Sequence, residues 1–318
     1  MQISEARERY FRWLGATRDL SPHTIRAYAG DLISLERHLD PNIDVQELDR
    51  ESLVSFIEAQ KASGLSPASL RRRAAALRGF CHWLRSRNLL KSDPWSGTSL
   101  TLGRSRRLPR ILSAHELNQL IEFLKQAARV DIGGTPDPHL VAKRFHESTT
   151  LLAVTLMVAT GVRVHEVVGI GYEDIDLPSR SIRLIGKGRR ERQVFLTNDW
   201  LTSLTGAYIE ARSNLCLPHA QLLFNLHYEP LTPPAMRSRL AKAGAAAGLS
   251  SRVTPHMLRH TAATQLIEAG VDIRYIQRLL GHASLSTTEI YTHVSDRALR
   301  RVVSDADVLG RCSGRHDN

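Results

Sequence analysis

Between Thr254 and Tyr291 the chain gathers His256, Arg259, His260, His282 and Tyr291. Guanidinium and imidazole groups donate hydrogen bonds to phosphate oxygens, and a tyrosine oxygen is a nucleophile once its proton is lost. The set therefore has the makings of a phosphate grip beside an attacking group. Thr254-Pro255 reads as an N-cap followed by the first helical residue. That places His256, Arg259 and His260 at i, i+3 and i+4 on one face of a helix running to Gly270, with Ala262, Ala263, Leu266 and Ile267 as its buried side. The histidine pair has the spacing of a zinc motif, but Met257 stands where that motif needs its catalytic Glu and no third ligand is evident. No metal is expected. Asp272 then caps a helix ending at Gly281, His282 follows at once, and Ser286 starts a short helix carrying Tyr291. A tyrosine so placed is ordinarily a packed core or interface ring, so the groups around it must decide.

Two upstream sites supply what this stretch lacks. After Leu151 to Val158, which reads as a strongly buried helix, Gly161 breaks the chain, and Arg163 and Glu166 follow one turn apart at the next helix start. A structural ion pair is the plain reading of Glu166; Arg163 sits where a helix N-terminus favours an anion. Ser181 to Leu196 alternates as a hairpin, with Ile182 and Leu184, then Gly186-Lys187-Gly188-Arg189-Arg190 as the turn, then Val194 and Leu196. Lys187 stands at its tip. Lysine there is usually solvated, but flanking glycines let the backbone come close to a ligand.

The elements that must position these groups fall into two blocks. The chain has 318 residues, beyond one typical domain. Up to about residue 97 the spacing is helical throughout. Ile3, Ala6, Tyr10 and Trp13 form one face; Ser21-Pro22 opens a second helix with Ile25, Tyr28, Leu32, Leu35 and Leu39 inward. A third starts near Asp49 with Leu53, Phe56 and Ile57. Ser66-Pro67 opens a fourth, burying Leu70, Ala74, Leu77, Phe80 and Leu84 while Arg71, Arg72, Arg73 and Arg78 lie on other faces. Residues 98–112 lose this periodicity and carry Arg104, Arg106, Arg107 and Arg110, a basic linker suited to tracking a phosphate backbone. From Ser113, where Ser113 and Glu116 form a capping box, a second domain runs to residue 318.

Lys plus Arg exceed Asp plus Glu by 43 to 32, a net +11 with a pI near 10.0, which favours a polyanionic partner, nucleic acid first. Cys81, Cys216 and Cys312 are too few and too scattered for a disulfide framework. The N-terminus has charges where a signal peptide needs an apolar core, and Leu151 to Ala159 is too short to span a bilayer. A cytoplasmic, nucleoid-associated protein with no membrane partner is expected.

ATGVRVHEV, the hairpin lysine in GKGRRERQVFL, PHMLRHTAATQLIEAG and LLGHASLSTTEIYTHV, in that order, resemble the tyrosine recombinase (phage integrase) family, and its Xer-type branch in particular. The resemblance covers nearly the whole chain. It implies a mainly α fold: an N-terminal helical core-binding, SAM-like bundle and a mostly helical catalytic domain with a small antiparallel sheet. It further implies Tyr291 as nucleophile, Arg163 and Arg259 as the pair gripping the scissile phosphate, and Lys187 as the acid for the leaving 5′ oxygen. His256 matches an acid/base position, His282 a phosphate donor, and Glu166 and His260 supporting places. The implied activity is cleavage and rejoining of a specific double-stranded DNA site through a 3′-phosphotyrosine and a Holliday junction, with no cofactor. Four protomers would act on paired sites, with the apolar stripe Leu299, Val302, Val303 and Leu309 docking on a neighbour or on its own domain. A partner recombinase or accessory protein is a further expectation. DNA contact is expected from Arg71, Arg72, Arg73, Arg104, Arg106 and Arg107.

One departure from the Xer pattern stands out: the stretch Ala127 to Glu147 is longer than the compact turn usual there, which bears on DNA contacts or partner choice unless it is an inert surface insertion. Two other functions fit the fold, a DNA-binding regulator that cuts nothing and a type IB topoisomerase-like relaxing enzyme. The complete Arg, Lys, His and Tyr set argues against the first, and the Xer-like text with its docking segment against the second.

Overall fold

The computed structural model describes residues 1–17, 20, 22–40, 43–96, 110–130, 136–186, 191–281, 296–308 and 310. The chain divides into two compact units, Met1–Leu108 and Pro109–Asn318. Most of the expected basic linker, including Arg104, Arg106 and Arg107, lies outside the described residues, as do Ser21, Lys187, His282, Ser286, Tyr291 and Leu309.

Among the described residues the first unit is a bundle of four α-helices: α1 (Ile3–Thr17), α2 (Pro22–His38), α3 (Arg50–Ala62) and α4 (Pro67–Ser86). Local chemistry sets the helix starts. Asp49 accepts from the Ser52 amide at 2.9 Å and Ser66 from the Ser69 amide at 3.2 Å, each satisfying an otherwise orphaned N–H. The buried stripe of α1 is Ile3, Ala6, Tyr10 and Leu14. Trp13, expected on that face, only partly packs against the core. Leu32, Leu35, Phe56, Leu77, Phe80 and Leu84 complete an apolar centre of this unit's own.

The second unit opens with α5 (Ala114–Ala128), whose capping box is formed as expected: the Ser113 amide donates to Glu116 Oε2 at 2.9 Å and the Glu116 amide to Ser113 Oγ at 3.2 Å. Within the long Ala127 to Glu147 stretch there is a short helix, α6 (Pro138–Lys143), capped by Asp137. It is the same cap-then-Pro device, too short to show periodicity. Then come α7 (Phe145–Thr160) and α8 (Val164–Gly169). Burial on all sides makes α7 the spine of this unit, so its Thr149, Thr155 and Thr160 hydroxyls bond Tyr208 or the preceding turn.

A three-stranded antiparallel sheet follows, β1 (Ile175–Asp176), β2 (Ser181–Ile185) and β3 (Glu191–Phe195), in that spatial order. Ile182 faces Val194 and Leu184 faces Arg192, so the hairpin was legible and the two-residue β1 was not. Then come α9 (Asp199–Ser213), α10 (Pro233–Ala246), α11 (Pro255–Glu268), α12 (Ile273–Leu280) and α13 (Asp296–Ala306). Val303, Ala306 and Val308 belong to this unit's own core, and Asn198 donates to Asp307 at 3.1 Å. In the single chain the C-terminal helix therefore lies on its own unit. Among the described residues no helix is long and apolar enough to cross a membrane.

Candidate DNA-cleavage site

The turn that closes α12 is held from three directions by arginines. Gly161 ends α7 with φ +63°, and a Cβ on it would stand 2.4 Å from Leu280 Cδ2, so glycine serves both the turn and the close approach of α12. Just beyond it, Arg163 caps α8, and its amide donates to Glu166 Oε2 at 2.7 Å. The Arg163 guanidinium donates to Glu166 Oε1 at 3.1 Å and to the Gly281 carbonyl at 3.0 Å. Arg259, on α11, is buried and donates to the Gly161 carbonyl at 2.6 Å and the Leu280 carbonyl at 2.7 Å. Each of these guanidiniums commits two of its five donors among the described residues, which leaves a fork on each for an anion.

Sequence reasoning missed the third arginine. Arg192 on β3 meets Glu166 with both terminal nitrogens, Nη2 to Oε2 at 2.9 Å, while its Nε donates to the Leu279 carbonyl at 3.2 Å. Its side chain also fills the space where a Cβ on Gly281 would sit, at 3.2 Å. In the sequence it is one of three arginines in GRRERQ and is indistinguishable from turn decoration. The alternation that puts Val194 inward also puts Arg192 on the same face, which was the available signal.

Glu166 is thus a buried hub, its side chain without exposed surface. Burial alone would push its carboxyl up, but the hydrogen bond from Arg192, the Arg163 amide and the two cations overcome that and hold it at about 2. Burial, together with the neighbouring Arg163 charge, pulls Arg259 down to about 10, so it stays protonated at neutral pH. Three guanidiniums against one carboxylate leave an excess of positive charge, and Arg163 remains about a third exposed (32 %) toward any ligand. That balance of charge can attract an anion.

The three residues expected on one face of α11 separate. Arg259 turns inward while His256 and His260 are exposed, and Ile267, expected to be buried, is 53 % exposed. An i+3 step turns the helix by only part of a circle, so the Arg259 side lies with Leu258 and Ala262, and the histidines lie toward solvent. Burial first, then the His256 and Arg259 charges, lower the pKa of His260.

In the first unit, Arg73 is engaged internally: it pairs with Asp31 at 3.0 Å, bonds Gln60 and lies over the Phe56 ring. Arg72 shares the buried Asp31 carboxylate and is more exposed; Arg71 is half-buried. Of the two, Arg72 is the more accessible to a partner.

The family profile described as "Phage integrase family" matches residues 110–298, and "Phage integrase, N-terminal SAM-like domain" matches residues 8–88. A curated "Tyrosine recombinase XerC" of Mycobacterium sp. (strain JLS) is 34% identical over 306 residues, spanning 93% of this chain and 96% of that protein. Among solved structures, XerH site-specific recombinase bound to difH in a pre-cleavage complex aligns with TM-score 0.62 and 25% identity over 88% of this chain and 79% of that one. A lambda integrase tetramer bound to a Holliday junction shares the fold, with TM-score 0.67 and 18% identity over 91% and 80%.

Proposed function

This chain belongs to the phage integrase family of tyrosine recombinases, and from that premise we propose that it cleaves and rejoins a specific duplex DNA site by way of Tyr291. The observation that carries the reading is the convergence of Arg163 and Arg259 on the turn closing α12, one residue before His282 in sequence. In-line attack on a phosphodiester piles negative charge on the nonbridging oxygens, and two guanidinium forks match those oxygens in shape and sign. Tyr291 Oη bonds to phosphorus while the bond to the 5′ oxygen breaks. His256 takes the phenolic proton, Lys187 supplies one to the leaving oxygen, and His282 donates to the phosphate. A phenol of pKa about 10 needs that help at neutral pH.

The phosphotyrosine retains the energy of the broken ester, so a 5′ hydroxyl from another strand reverses the step without ATP, and one such exchange yields a Holliday junction. Glu166 positions Arg163, and His260 supports the second arginine. The basic linker and Arg72 would add sequence-independent contacts to phosphates. Four protomers on paired sites would complete the exchange, as in the tetramer that shares this fold, and the work would be done on chromosomal or mobile DNA in the cytoplasm.

The test is incubation with nicked duplexes carrying candidate sites. A covalent protein–DNA adduct that disappears in Tyr291→Phe is the expected result. Site-specific binding with no adduct on that site would instead mean a regulator. Sequencing the DNA recovered with the trapped protein would identify the target.

A further inference from the structure

The long Ala127 to Glu147 stretch supplies none of the residues assigned to cleavage, and residues at its two ends line one cleft. The last turns of α5, the start of α7 and one face of α10 enclose a cleft of about 450 Å³. Phe123, Leu124, Ala243 and Ala246 make its apolar lining, with Ala127 at one end of the long stretch and His146 and Glu147 at the other.

Its polar groups are unevenly matched. Arg239 is half-buried, and among the described residues its one hydrogen bond runs from Nη1 to the His146 carbonyl at a long 3.4 Å. No carboxylate lies within ion-pair distance of it among the described residues; Glu147, which lines the same cleft and pairs with Arg144 at 3.9 Å, acts on Arg239 only at longer range. Burial lowers the Arg239 pKa and outweighs the opposing pull of Tyr208 and Glu147, as expected for a desolvated cation with no counter-ion in direct contact. Lys242, one turn further along α10, adds a second positive charge at the exposed rim. His146 Nδ1 is buried with no hydrogen-bond partner among the described residues. Buried polar groups ordinarily have partners, and a guanidinium rarely desolvates against an apolar wall without an anion.

We propose that this cleft binds a small amphipathic anion, an aromatic or branched aliphatic body seated on the α5 and α10 side chains with its carboxylate, phosphate or sulfonate held by Arg239 and Lys242. The volume suits one compact ligand of that kind. The site is separate from the arginine grip, so its test does not depend on DNA cleavage.

Anilinonaphthalene sulfonate is the probe, titrated into the full-length protein by fluorescence and calorimetry, with uncharged phenylnaphthylamine as its counterpart. The expected result is saturable binding at one site per chain, with the neutral dye weaker by roughly tenfold. Arg239→Gln and Ala246→Phe, the latter filling the cleft from an exposed helical position, should each weaken the sulfonate by roughly tenfold or more, and Lys242→Gln by less. Should Arg239→Gln unfold in a thermal melt, Ala246→Phe and Lys242→Gln decide the matter. Equal binding of the two dyes, or sulfonate binding indifferent to Ala246→Phe, would overturn the proposal.

Discussion

At the scale of single residues, the site is a charge balance around Glu166. Arg259→Lys keeps the positive charge and loses the fork, so single-turnover adduct formation should slow by roughly 10²–10³ while DNA binding changes little. Arg192→Gln removes the principal partner of a carboxylate that has no exposed surface, which should cost about 3 kcal/mol in urea unfolding. Adding Glu166→Gln to that variant should recover most of the loss, since the uncompensated charge goes with it. The pH dependence has a definite sign. Glu166 titrates at about 2 in the folded protein against an ordinary 4.5. Its contribution is therefore present above 4.5 and drains away as pH falls toward 2. Glu166→Gln should flatten that limb of an acid denaturation curve; an unchanged limb would mean that other carboxylates dominate it.

At the scale of elements, the grip depends on α7 and α12 meeting at Gly161 and Leu280. Gly161→Ala places a side chain in a left-handed turn and drives its methyl into Leu280. It should cost at least about 1 kcal/mol from the backbone alone and slow cleavage by displacing the carbonyls that Arg163 and Arg259 hold. Leu280→Ala in the same chain should restore part of the cleavage rate, which a purely conformational defect would not allow. The helix starts were legible because capping is local: Asp49, Ser66, Ser113, Thr254 and Asp272 each bond an amide two or three residues ahead. The missed α6 and β1 are too short for periodicity to register. Ile267 was misassigned because an apolar residue beside Leu266 looks inward until the neighbouring helices are known.

At the scale of the whole molecule, the two units have separate apolar centres and share a strongly basic composition. Binding to a non-cognate duplex should therefore be governed by phosphate contacts. If six to ten are made, affinity should fall by roughly 10³–10⁵ between 50 and 200 mM salt, read by fluorescence anisotropy. A shallow salt dependence would place the excess charge away from DNA. The family assignment was legible at this scale too, since several motifs kept their order along nearly the entire chain. By itself the sequence determined the helical character, the capped helix starts, the β2–β3 hairpin and the identity of Arg163, Glu166 and Arg259 as a group worth joining, because periodicity, capping and motif order are properties of neighbours along the chain. Only the tertiary structure decided that Arg192 is the main partner of Glu166, that Arg259 faces inward while His256 and His260 face out, and that a half-buried Arg239 borders an apolar cleft. Those facts depend on groups from distant elements sharing a desolvated volume, where a charge must find its counterpart across the fold.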